Sequence, residues 1–91
     1  MTASAATDDD DAPEDALLGG RVRLRQPEKG YRAAIDPVVL AAAVEPAQSA
    51  HVLEVGCGTG AALLCLAVRR PDLRLTGLEK LPQAAALARQ N

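Results

Sequence analysis

Three glycines at alternate positions and two acids are the residues of this sequence best suited to ligand binding. The glycines follow an apolar run that ends in Glu54, and they occupy positions Gly56, Gly58 and Gly60. Glycines placed in this way let the backbone turn sharply and bring its N–H groups close to a ligand that a Cβ would keep away. A second apolar run, Leu73 to Leu78, ends in Glu79, a carboxylate placed to accept both hydroxyls of a ribose. The pattern therefore predicts a nucleoside site built on two strands, a glycine loop and a helix.

Two kinds of cofactor fit this pattern. Gly56, Gly58 and Ala61 give the G-x-G-x-x-A spacing that is typical of NAD or FAD binding. Glu54 favours another ligand, because an acid at the strand end repels a pyrophosphate but attracts the ammonium and sulfonium groups of S-adenosylmethionine. We expect S-adenosylmethionine, and a dinucleotide-binding oxidoreductase is the open alternative.

Further elements must hold this site in place. Residues 21–25 alternate basic and apolar side chains, which predicts a half-buried strand with an arginine face. Asp36-Pro37 predicts the start of a helix that runs to about Val44, with Asp36 as its cap. Two more helices are expected, one from Ala61 to about Arg70 and one from Pro82 to the last residue, Asn91.

Composition limits the class of protein. Residues 1–16 are small, polar and acidic, which predicts a disordered tail before a folded part at 17–91. We expect no secretory signal, and no apolar run in the sequence is long enough to cross a membrane. Cys57 and Cys65 lack metal-ligand spacing and indicate buried thiols in a reducing cytoplasm, so we expect no metal. His51, the single histidine, is expected to be structural.

The run from Leu53 to Gly60 resembles the first motif of class I S-adenosylmethionine-dependent methyltransferases, and Glu79 falls where that family has its ribose-binding acid. The resemblance implies a Rossmann-like, doubly wound parallel α/β sheet, of which this chain would supply only the N-terminal part. About 75 residues are too few to cover both faces of such a sheet. The residues expected to bind the cofactor are Asp36, Glu54, Gly56, Cys57, Gly58, Gly60 and Glu79.

The segments Gly20 to Pro27 and Gly30 to Ala42 resemble a narrower group, the bacterial transfer-RNA adenine methyltransferases and related methyltransferase small-domain proteins. The resemblance implies that Asp36 lies near the methionine end of the cofactor and Tyr31 near the entrance of the site. The alternatives are a helix cap for Asp36 and loop packing for Tyr31. The expected function is methyl transfer to the exocyclic amine of an adenine in tRNA.

One departure from that group concerns catalysis. Enzymes that methylate an exocyclic amine resemble one another in an Asn-Pro-Pro-aromatic motif, which this sequence lacks. We therefore predict no catalytic residue and expect this chain by itself to be inactive. A non-catalytic partner subunit with the same fold and a methyltransferase for protein or small-molecule substrates remain alternatives.

Five bases within twelve residues are expected to contact RNA phosphates in the complete enzyme, namely Arg21, Arg23, Arg25, Lys29 and Arg32. The opposing interpretation is a solvated edge strand whose charges prevent unwanted pairing.

Overall fold

The computed structural model of the 91-residue chain describes residues 12–29 and 34–91. The acidic run at residues 8–11 and the predicted site residues Tyr31 and Arg32 lie outside the described residues. Within the described residues, four strands and three α-helices follow in chain order: β1 Glu14–Leu17, β2 Val22–Arg25, α1 Asp36–Ala43, β3 His51–Val55, α2 Ala61–Arg69, β4 Arg74–Leu78 and α3 Pro82–Gln90.

Strands β3 and β4 lie parallel, with His51 opposite Arg74 and Val55 opposite Leu78. Parallel strands need a crossover, and here α2 supplies it, so β3, α2 and β4 form the predicted βαβ unit. The register brings the carboxyl ends of both strands to one edge. The prediction of an α/β fold with parallel strands is confirmed.

Strands β1 and β2 form an antiparallel hairpin through a short 3-10 turn at Leu18–Gly20. The arginine-faced strand is confirmed at Val22–Arg25, with Val22 and Leu24 buried. The expected disordered tail is wrong at residues 14–16, which belong to β1. These residues carry little apolar surface, but pairing with β2 gives part of their backbone groups hydrogen-bond partners and places Leu17 against the core.

The hydrophobic core lies between the hairpin and helices α1 and α2. Its buried members are Val22, Leu24, Ala41, Ala61, Cys65 and Leu66. Arg69, at the end of α2, donates hydrogen bonds to the carbonyl oxygens of Ala41 (2.9 Å) and Val44. These bonds satisfy carbonyl groups that the end of α1 leaves without partners. All three predicted helices are confirmed within one or two residues.

One face of the β3–β4 pair packs on this core, and the other is open. Val52 and Leu75 contact the core cluster, whereas side chains on the opposite face remain exposed, including Leu53 (55%), Val55 (76%) and Leu78 (53%). The alternation of side chains along a strand separates the two sets.

Candidate functional site

A cleft of about 630 Å³ opens at the carboxyl ends of β3 and β4. Its size falls within the usual range for small-molecule sites. Six of the seven residues predicted to bind the cofactor line it, namely Asp36, Glu54, Gly56, Cys57, Gly58 and Glu79. Gly60, the seventh, borders a neighbouring cavity of about 440 Å³ between α2, α3 and β4.

The glycine loop has a left-handed backbone at each of its three glycines. Gly56, Gly58 and Gly60 have φ values of 76°, 60° and 94°. The N–H groups of Gly56 and Cys57 both donate to the carbonyl oxygen of Leu78, at 2.7 and 3.0 Å. A Cβ added at Gly56 or Gly58 would have no neighbour within 4 Å and would project into open space. The backbone is therefore exposed to any ligand in the cleft, as a binding loop requires.

A fourth glycine, Gly77 in β4, positions this loop and was not predicted as a site residue. A Cβ at Gly77 would lie 2.5 Å from Sγ of Cys57 and 3.0 Å from Cδ1 of Leu63. The absence of a side chain thus lets the loop pack directly on β4. An isolated glycine inside a strand pattern was the available signal, since it often marks a close approach of the backbone.

Glu54, at the end of β3, has an unsatisfied carboxylate. Its Oε1 atom is buried and has no hydrogen-bond partner. Burial also raises the pKa of the Glu54 carboxyl above its ordinary value. A buried oxygen that lacks a donor on its own chain is well placed to receive one from a ligand, and a cationic ligand suits it best.

Glu79, at the end of β4, is satisfied by its own chain. Its Oε2 accepts the N–H of Leu81 at 3.0 Å, and its Oε1 accepts the N–H of Gly58 at 2.8 Å. These two hydrogen bonds, together with smaller contributions from Lys80, lower the pKa of the Glu79 carboxyl. A carboxylate has about four acceptor sites, so each oxygen keeps a lone pair for a ribose hydroxyl.

Asp36 lies in the first turn of α1 and lines the cleft. The interpretation of Asp36 as a helix cap is wrong, because the N-cap position belongs to Ile35 and no side chain makes a capping hydrogen bond there. Asp36 is exposed to solvent. The charge there can complement the helix dipole and a cationic ligand together.

Of the predicted RNA-binding bases, three described ones border cavities. Lys29 lines the cleft, whereas Arg21 and Arg23 border a separate small cavity beside α2. Arg23 also forms an exposed ion pair with Glu14 at 2.8 Å. The backbone N–H and C=O of Arg25 are both bonded by the side-chain amide of Asn91, at 2.6 and 3.1 Å. The same amide donates to the carbonyl oxygen of Thr59 at 2.9 Å, which ties the hairpin to the glycine loop.

Two further reactive side chains among the described residues are those of Cys57 and His51. Burial raises the pKa of the Cys57 thiol, and the nearby charges of Glu54 and Glu79 raise it further. The thiol is therefore protonated at neutral pH, which makes it a poor nucleophile. His51 is bonded across the sheet, with its Nε2 2.7 Å from Oγ1 of Thr76. Within residues 12–29 and 34–91, no group of three His, Cys, Asp or Glu side chains is arranged to hold a metal ion.

The sequence matches several methyltransferases over part of their length. It is 35% identical over 68 residues to the tRNA1(Val) (adenine(37)-N6)-methyltransferase of Flavobacteriaceae bacterium strain 3519-10, which is 75% of this chain and 29% of that protein. It is 44% identical over 46 residues to the release factor glutamine methyltransferase of Salmonella typhimurium, 50% of this chain and 17% of that protein. It is 54% identical over 37 residues to the ribosomal RNA small subunit methyltransferase G of an Arthrobacter species, 41% of this chain and 17% of that protein.

The chain thus spans less than a third of the length of these curated relatives. No protein-family model and no solved structure matches it. In a chain of 91 residues, any stretch of 68 residues includes residues 24–68. The match to the tRNA1(Val) enzyme therefore contains both Asp36 and the glycine loop. Among the described helices, none has the length and hydropathy that a membrane crossing requires.

Proposed function

We propose that this chain, whose homologues are class I S-adenosylmethionine-dependent methyltransferases with a Rossmann-like α/β fold, forms the cofactor-binding part of such an enzyme. The enzymes that this chain matches differ in substrate, by their names, and agree on methyl transfer. A shared segment in enzymes with different substrates is expected to bind what they have in common, the methyl donor.

The observation that carries the proposal is the buried, unpartnered oxygen of Glu54. The described cleft lining has three carboxyl groups, on Asp36, Glu54 and Glu79, and one basic side chain, Lys29. An excess of negative charge attracts a ligand with an ammonium and a sulfonium and repels a dinucleotide pyrophosphate. The charge of the cleft therefore favours S-adenosylmethionine over the dinucleotide alternative.

Each residue has a defined part in this proposal. Glu54 and Asp36 would face the cationic methionine end, Glu79 would accept ribose hydroxyls, and the exposed backbone from Gly56 to Gly58 would lie against the ligand. When bound, S-adenosylmethionine supplies an electrophilic methyl group. The chain's own contribution is to hold and orient it, which is the main source of rate in such transfers.

We further propose an RNA substrate, with the exocyclic amine of a tRNA adenine as the acceptor. The support is the longer match, which covers 75% of this chain and is to an enzyme named for that reaction. The second candidate is a protein substrate, because the chain also matches a release factor glutamine methyltransferase.

Titration calorimetry of the full chain with S-adenosylhomocysteine and, separately, with NAD⁺ tests the cofactor. We expect saturable binding of S-adenosylhomocysteine and none of NAD⁺. Tighter binding of NAD⁺ would reject the methyltransferase proposal in favour of an oxidoreductase.

The RNA part is tested by the salt dependence of tRNA binding. Replacing Arg21, Arg23 and Arg25 by Ala should flatten the log–log salt slope by about two units, since each lost phosphate contact removes roughly 0.7–0.9. Because Glu14 competes for Arg23, Glu14→Gln should steepen it. Arg74→Ala, at the far end of the parallel strands, is the control. An unchanged slope in the triple variant would mean that these arginines do not contact RNA phosphates and that the strand is a solvated edge.

A further inference from the structure

The cleft contains a basic residue whose place there is not explained by RNA binding. Lys29 lines the same cavity as Asp36, Glu54 and Glu79, away from the cavity that Arg21 and Arg23 border. Pro27 lines the cleft too, so the described residues that follow β2 lie at its wall. Lys29 is thus part of the ligand site rather than of the arginine strand.

We propose that Lys29 binds the α-carboxylate at the amino-acid end of S-adenosylmethionine; this assignment rests on the proposed function. The ligand has two cationic centres and one anionic group. The acids of the cleft suit the cationic centres and the ribose, but they repel a carboxylate. Lys29 is the one formally positive side chain among the described residues that line the cleft, so it is the counter-charge that the carboxylate requires.

The chemistry of lysine fits this role. Its ammonium is a compact charge with three donors on a flexible stem, and it binds a carboxylate without the planar register that arginine imposes. The side chain is exposed at the cleft wall, so solvent screens the pair and the expected effect is moderate. An interaction of this kind selects among ligands more than it adds affinity.

The test compares two ligands that differ only in the group concerned, S-adenosylmethionine and its decarboxylated form. The chain has two lysines, and Lys80 does not line the cleft, so Lys80→Gln is a matched control for Lys29→Gln. We expect Lys29→Gln to weaken S-adenosylmethionine by about three- to tenfold and to leave the decarboxylated compound unchanged. Lys29→Arg should keep most of the discrimination, and Lys80→Gln should keep all of it.

The possible results separate this assignment from the function on which it rests. If the wild-type chain binds neither compound, the proposed function fails and the assignment fails with it. If the wild type binds both and Lys29→Gln weakens them equally or not at all, Lys29 does not recognise the carboxylate and only this assignment is overturned. A lower salt slope of tRNA binding in Lys29→Gln, with cofactor affinities unchanged, would return Lys29 to the phosphate contacts.

Discussion

The ends of β3 and β4 lie side by side and each holds one glutamate, but the two acids are in opposite electrostatic states. Glu54, one residue before the end of β3, has a buried oxygen without a partner and a raised pKa. Glu79, just after β4, accepts two backbone N–H groups and has a lowered pKa. Identical side chains near the same edge of the sheet thus differ because Glu79 receives backbone N–H groups from Gly58 and Leu81, whereas Oε1 of Glu54 receives none.

The difference indicates that Glu79 helps to hold the structure of the loop, whereas Glu54 is available to a ligand. Glu79 fastens the loop through Gly58 and so shapes the cleft even without a ligand. Glu54 contributes nothing comparable to the loop, and its desolvated charge opposes folding. Removing the charge of Glu54 should therefore help the free chain and harm the complex, whereas removing that of Glu79 should harm both.

The largest expected effect comes from the loop that separates the two acids. Gly58→Val places a branched side chain in the cleft at φ 60°, and we expect a loss of S-adenosylhomocysteine affinity of at least about a hundredfold. The same backbone strain, about 1–2 kcal/mol, arises in Gly19→Val, where φ is 63° and the space is also open. Calorimetric titration of both variants should show that only Gly58→Val loses the ligand. Equal losses would attribute the effect to strain and not to the cleft.

Glu54→Gln should have the next largest effect and is the sharpest test of the comparison. Loss of a desolvated charge opposite a cation should weaken S-adenosylmethionine by about ten- to hundredfold. The free energy of unfolding of the ligand-free chain should rise, because a neutral amide is cheaper to bury than an unpaired carboxylate. Chemical denaturation and titration of the same preparation measure both quantities. A fall in both would mean that Glu54 is satisfied in the folded chain.

Glu79→Gln should have a smaller effect on affinity and the opposite effect on stability. The amide nitrogen cannot accept an N–H, so the bond to Gly58 or to Leu81 is lost and the melting temperature should fall. We expect the affinity for S-adenosylhomocysteine to drop by about three- to tenfold, since a ribose hydroxyl loses part of its acceptor. A variant that melts lower but binds normally would restrict Glu79 to holding the loop.

The smallest expected effect is in the pH dependence of unfolding between about pH 3 and pH 7. The raised pKa of Glu54 contributes stability that is present below its ordinary pKa and lost as the pH rises through the raised value. The lowered pKa of Glu79 contributes stability that is present above its ordinary pKa and lost as the pH falls through the lowered value. In thermal melts, the melting temperature of Glu54→Gln relative to that of the wild type should rise by a few degrees as the pH rises. The melting temperature of Glu79→Gln relative to that of the wild type should fall over the same range. If the melting temperatures of all three proteins changed with pH in the same way, the comparison would be contradicted.

The sequence was sufficient to predict the βαβ unit and most of the cleft, because the signals there are local. Glycines at alternate positions permit a left-handed backbone, and an apolar run that ends in an acid marks a strand end. The hairpin was harder to predict. Strand β1 is built from Glu14, Asp15, Ala16 and Leu17, a composition typical of a tail, and only pairing with β2 makes it a strand.

What the sequence determined by itself is the order of the elements, the position of the glycine loop and the presence of acids at the ends of two strands. What only the tertiary structure decided is how each charge is used. Chain folding brought Lys29 into the cleft, paired Arg23 with Glu14, and gave the N–H of Gly58 to Glu79 while leaving Glu54 without a donor. The physical reason is that the pKa and the interaction energies of a charged group depend on its burial and its partners. Both are set by residues far away in sequence, which no local pattern reports.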